Sequence, residues 1–197
     1  MRIPKLLASS FLSFVALAGI SASAQTRSET VQHKASCSVP KDEMELYANY
    51  LSPETHSSAL TVVVTTTQPS KADIDSINLR LAAQGRGIPP DVRADFKQKD
   101  KSTCSIEPFP SASGVRFISK TEAETIFKVG WTEFHKRYGK GASRLQFSRV
   151  GFNVEKTLAL LHVSSGIGPM AAGGVLYLFE RKAGKWVVKT SIQTWTT

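Results

Sequence analysis

Only two cysteines, Cys37 and Cys104, occur in the 197 residues, and no Cys-x-x-Cys spacing is present. That excludes a Cys₄ zinc site and a thioredoxin-like redox motif. The four histidines, His33, His56, His135 and His162, are scattered, with no pair at His-x-x-x-His spacing. Zinc needs three or four convergent ligands, so no metal site is indicated, and no cofactor is expected. Ser164-Ser165-Gly166 lacks the Gly-x-Ser-x-Gly elbow of hydrolases. Gly166-Ile167-Gly168 has no lysine after it and opens no clear helix, so it is no phosphate loop. Internal repeats and low-complexity tracts are missing too.

Long apolar runs are equally scarce, apart from one at the start. Arg2 and Lys5 precede a stretch from Leu6 to Ile20 that is apolar or small, and Ser21-Ala22-Ser23-Ala24 follows. This is the pattern of a secretory signal, with cleavage expected between Ala24 and Gln25. Its core of about 15 residues is shorter than the roughly 20 that span a bilayer. No second such run follows, so no transmembrane segment is expected in the mature chain. The expected organisation is a signal peptide over 1–24, a polar, disordered lead-in over 25–40, and a single domain over 41–197. The product is expected to be exported, periplasmic or secreted.

Export bears on the cysteines. In an oxidising compartment a Cys37–Cys104 disulfide is the natural pairing; the alternative is two unpaired thiols. Such a bridge closes a loop of 67 residues, for which chain entropy suggests roughly 4 kcal/mol.

Acidic residues are few after residue 127. The signal holds two of the 25 basic residues and none of the 16 acids, leaving a mature net charge of +7. From Lys128 onward there are 11 basic residues and three acids, whereas residues 25–127 are near neutral. A basic half of this kind attracts anionic envelope polymers or lipid headgroups. Nucleic acid is the weakest of the candidate partners, because no recognised binding motif is present and export separates the protein from intracellular DNA and RNA.

Periodicity sets the expected elements. A helix follows Pro40, with Met44, Tyr47, Tyr50 and Leu51 on one side. Leu60 to Thr67 is β-branched and reads as a strand. Ser70-x-x-Asp73 starts a second helix lined by Ile74, Ile77 and Leu81. Pro89-Pro90-Asp91 opens a third, with Val92 and Phe96 four apart. A strand over 115–119 precedes a capping box, Thr121-x-x-Glu124, and a helical segment with a break at Gly130. Ile126, Trp131, Phe134 and Tyr138 supply its buried positions. Strands over roughly 144–152, 157–164, 174–182 and 185–195 follow, with turns at 153–156 and 181–185. Gly166 to Gly174 reads as a wide, flexible connection. The fold class is α+β: short N-terminal helices and a strand, then a helix packed on a C-terminal antiparallel four-stranded meander.

Residues 119–197 resemble an uncharacterised family of exported bacterial proteins, a domain of unknown function. The resemblance runs through Trp131-x-x-Phe134-x-x-x-Tyr138, Phe147-Ser148-Arg149-Val150-Gly151-Phe152-Asn153, the Gly-rich turn, and Gly184-Lys185-Trp186-x-Val188 with Trp195. It implies fold and address, and no activity. A looser likeness in topology is to cone-shaped folds of the polyketide-cyclase type, which host both enzymes and binding modules.

Two residues are candidates for chemistry. Counting by twos puts His162 on a strand face with Leu158, Leu160 and Ser164. Were that face to line a cavity, His162 could act as a general base; otherwise it is a structural sheet histidine. Arg149, in an otherwise apolar stretch, could hold an anion through its planar fork or pair with Glu180 or Glu155. The first functional expectation is a non-catalytic binding or envelope-associated module. The alternative is a small-ligand enzyme using His162 and Arg149 in a pocket between helix and sheet.

Overall fold

The computed structural model describes residues 37–52, 60–110 and 114–197. The expected signal and its Ala24–Gln25 cleavage site, His33, His56 and most of the lead-in lie outside the described residues. The chain from Ala35 to Thr197 forms one compact unit. It contains the fold already at Cys37, earlier than the expected boundary at 41. Ser38 bridges to Ser105 and Val39 is buried.

Three helices come first: α1 (Lys41–Tyr50), α2 (Ile74–Ala82) and α3 (Pro90–Lys99), with β1 (Thr61–Val64) between α1 and α2. β2 (Val115–Ile118), α4 (Lys120–Val129) and α5 (Trp131–Tyr138) follow. The chain ends in β3 (Ser143–Phe147), β4 (Gly151–Phe152), β5 (Leu158–Gly168), β6 (Ala171–Lys182) and β7 (Lys185–Thr196). The α+β expectation holds, and β3, β5, β6 and β7 form the antiparallel meander. What alternation does not reveal is that β1 extends this meander as a parallel neighbour of both β3 and β2. The strand order is β2-β1-β3-β5-β6-β7, with β4 paired to β5.

Local chemistry explains the ends. Asp73, rather than Ser70, caps α2 by accepting from the Asp75 and Ser76 amides. Ser119 caps α4 by accepting from the Glu122 amide, so Ser119-x-x-Glu122, and not the overlapping Thr121-x-x-Glu124, starts that helix. Gly130, at φ +107°, breaks α4 from α5 where the sequence suggests. Ala183 and Gly184, at φ +47° and +79°, close the β6–β7 hairpin as a two-residue turn. The Gly-rich segment is no loose connection. β5 continues to Gly168 and β6 starts at Ala171, so only Pro169 and Met170 form the turn.

Three apolar clusters place the helices. One joins α1, through Leu46, Tyr47 and Leu51, to Val63, Leu145, Phe147, Leu161 and Val163 on one face of the sheet. On the opposite face, Ile74, Ile77 and Leu81 of α2 and Val92 and Phe96 of α3 meet Leu160, Leu176 and Leu178. On that same face Ala123, Ile126, Phe134 and Tyr138 of α4 and α5 meet Val62, Val64 and Ile118. The α4–α5 pair thus seats on the β1–β2 margin, and α2 with α3 covers the meander. Between the two helix pairs a strip of sheet around β3 and β5 is left without a helix.

Candidate functional site

That strip is the floor of a cavity of about 650 Å³, within the usual range for small-ligand sites. β3 alternates Arg144 and Gln146 toward it, while Leu145 and Phe147 point into the α1 cluster. β5 contributes His162, Ser164 and Gly166, and β7 contributes Thr194 and Trp195. One wall is the start of α2, with Asp73, Ser76, Ile77 and Arg80, preceded by Lys71; opposite it stands Trp131 at the start of α5.

The glycines that looked like loop-makers serve this floor. A Cβ on Gly166 would come within 3.2 Å of the Trp131 ring. On Gly174 it would collide with the Trp195 indole and with His162. Their missing side chains let both indoles lie against the sheet.

Arg144 is the notable charge. Its Nη2 donates to Gln146 Oε1 at 2.6 Å and its guanidinium lies 4.7 Å from the centre of the Phe127 ring. Its Nε is buried without a hydrogen-bond partner, and among the described residues no carboxylate pairs with it. Burial pulls its pKa below the usual arginine value, the mark of a cation short of compensation. The one acid on the cavity wall, Asp73, is engaged with Ser76 and the α2 amides. Lys71 and Arg80 are exposed at the rim.

His162 faces the cavity with Leu160 beside it, as counting by twos predicts. It is buried, and its Nε2 lies 2.9 Å from Thr194 Oγ1. Burial lowers its pKa to about 4, so it is neutral near pH 7. The unfolded chain protonates at about 6.5. Between those values the unfolded state binds the extra proton, so stability falls as pH drops through 6.5, and the loss levels off below 4. Relative to a His162→Gln variant, the parent should lose about 3 kcal/mol between pH 7 and pH 4. Asp100, raised to about 7 by burial despite bonds from the Ser70 amide, has the opposite slope and cancels in that difference. Paired urea titrations across the pH range measure the gap; a constant gap contradicts the assignment.

Arg149 is elsewhere, and neither expected partner holds it. Glu180 pairs with Lys182 and Lys189, and Glu155 accepts from Asn153. Arg149 instead grips Glu43 of α1 with two bonds, Nη2 to Oε1 at 2.7 Å and Nε to Oε2 at 2.9 Å. The Val150 amide also donates to Glu43 Oε2, and Arg149 Nη1 lies 2.7 Å from Cys104 Sγ. Cys37 and Cys104 are at disulfide distance, 2.06 Å between sulfurs. Arg149 therefore joins the α1 side of the sheet and His162 the other. The two do not converge, and the enzyme alternative loses its residue pair.

His135 is also occupied, its Nε2 lying 2.9 Å from Ile167 O. Among the described residues no three His, Cys, Asp or Glu side chains are grouped to hold a metal ion. No helix among them is long and apolar enough to cross a membrane. Sequence reasoning passed over Arg144 and Gln146 altogether. The available signal was an arginine alternating with Leu145 and Phe147, an unusual tenant for a buried strand.

Fold and site together define, over the described residues, an α+β unit with a ligand-sized, cationic cavity at the seam between two helix pairs. No protein-family model, curated protein or solved structure matches the chain.

Proposed function

We propose that this is an exported binding module, without catalysis of its own, that holds a small anionic ligand in the cavity between α2 and α5. The observation that carries the reading is Arg144, a cation on the cavity floor that no acid among the described residues pairs with. A ligand anion would supply the missing charge and take up the free donors of the guanidinium fork. The chemistry of the rest of the floor is suited to holding rather than reacting. His162 is neutral, bonds to a threonine, and among the described residues pairs with no carboxylate. A base with so low a pKa takes up protons poorly near neutrality.

Export rests on the charge and hydropathy pattern of residues 1–24, and the Cys37–Cys104 pair fits an oxidising compartment. The basic second half would concentrate anionic envelope polymers or lipid headgroups around the protein. Thermal unfolding in the presence of small carboxylates, phosphate esters and their neutral counterparts tests the site. At least one anion should raise the melting temperature of the parent and leave Arg144→Gln unmoved. Stabilisation by none of the anions, or by anions equally in both proteins, contradicts the reading.

A further inference from the structure

Resting on that reading, we infer that the ligand is a flat, ring-bearing molecule carrying one anionic group, the ring lying by Trp195 and the anion by Arg144. The layout of the sheet carries this. Arg144 stands directly across from Gly166, and Gln146 across from Ser164. Ser164 in turn stands across from Gly174, over which the Trp195 indole lies. The charged end is therefore on β3 and the aromatic end over β6. Two strand spacings and two residues along the strand separate them, roughly 12 Å, which a two-ring aromatic acid spans with its anion toward Arg144 and its far ring edge against the indole.

The floor between those ends is made of the smallest side chains available. Ser164 and Ala172 add little height above the backbone, and at Gly166 and Gly174 the missing side chains let the Trp131 and Trp195 rings lie down against the sheet. A surface this low admits a thin ligand lying along the sheet and offers a bulky one few contacts. Indoles provide flat apolar area and stack readily on rings. The guanidinium matches a carboxylate or a phosphate with two parallel bonds, and Gln146 beside it supplies a further polar group. The neutral His162, beside Thr194 and the Trp195 indole, adds no charge to the aromatic end.

Titration calorimetry with the purified protein and four probes separates the parts of the claim. The probes are 2-naphthoate, 2-naphthyl phosphate, the neutral 2-naphthamide and the non-planar acid glucuronate. We expect 2-naphthoate or 2-naphthyl phosphate to bind at least about tenfold more tightly than 2-naphthamide, the loss of one charge-assisted contact. Which of the two binds better distinguishes a carboxylate from a phosphate. Arg144→Gln should bring the anion down to the level of the amide. Trp195→Leu should weaken anion and amide alike, while circular dichroism and melting confirm that both variants fold. Should glucuronate bind as tightly as 2-naphthoate, or Trp195→Leu leave all affinities unchanged, the flat-ring assignment is wrong while an anion site at Arg144 survives. Should the amide match the acid, or no probe bind, the inference is overturned; Arg144-dependent melting shifts with other anions then decide separately whether the binding reading stands.

Discussion

Glu43→Ala should lower the unfolding free energy by about 3–5 kcal/mol, the usual result of removing one partner from a buried ion pair. Glu43 is fully buried and Arg149 nearly so. The carboxylate accepts from Arg149 Nε and Nη2 and from the Val150 amide. Arg149 is held charged more firmly by Glu43, which lifts its pKa above the usual arginine value. Without Glu43 the guanidinium keeps its charge, because arginine does not release a proton to relieve burial. Arg149→Met should cost less, because Lys99 Nζ, 3.9 Å from Glu43 Oε1, and the Val150 amide still face the carboxylate. The double variant Glu43→Ala/Arg149→Met should recover much of the loss, since neither charge is then left alone. Urea denaturation of the four proteins measures the coupling. Strict additivity of the two single losses contradicts the pairing.

The second large effect concerns the cysteines. Replacing Cys37 and Cys104 together by alanine should destabilise the chain by roughly 4 kcal/mol, the chain-entropy value for a closed loop of this length, here 67 residues. Reduction with the thiols left in place should cost less. Arg149 Nη1 lies against Cys104 Sγ and within 3.5 Å of Cys37 Sγ. A guanidinium in that position can go on donating to the sulfurs after reduction, so the reduced protein keeps a contact that the alanine variant lacks. Denaturation curves of the oxidised, reduced and double-alanine proteins should therefore fall in that order of stability. Intact mass before and after reduction, reading a gain of two hydrogens, establishes the starting state. Equal stability of all three would mean that the bridge does not constrain the unfolded chain.

Much of this architecture was legible because burial leaves a period in the sequence. Ile74, Ile77 and Leu81 reveal the covered face of α2, and Val92 with Phe96 that of α3. The long alternation of β5 to β7 yields the meander. Register and neighbour order leave no such trace. Val62, Val63 and Val64 say that β1 is covered on both faces, but not that it lies between β2 and β3. The partner of Arg149 was missed for a related reason. Glu43 shares a helix face with Leu46 and Tyr47, three and four residues on, so an acid sits within the apolar stripe. That stripe asks for a buried cation, and only the tertiary fold says that it is Arg149. The glycines misled most. Gly166 and Gly174 suggest flexibility, yet they lie in strands where indoles need the space.

The place of β1 has a temporal consequence. Both of its neighbours come later in the chain, β2 beginning 54 residues downstream and β3 82 residues downstream of Thr61. As the polypeptide leaves the ribosome, Thr61 to Val64 has nothing to pair with on either side until residue 115 has been made, and its second side stays open until residue 143. Contacts this distant close late, because the intervening loops must be ordered first. A nascent chain of this layout completes its sheet only late in synthesis, a delay that would suit the proposed export, in which a chain crosses its pore before it folds.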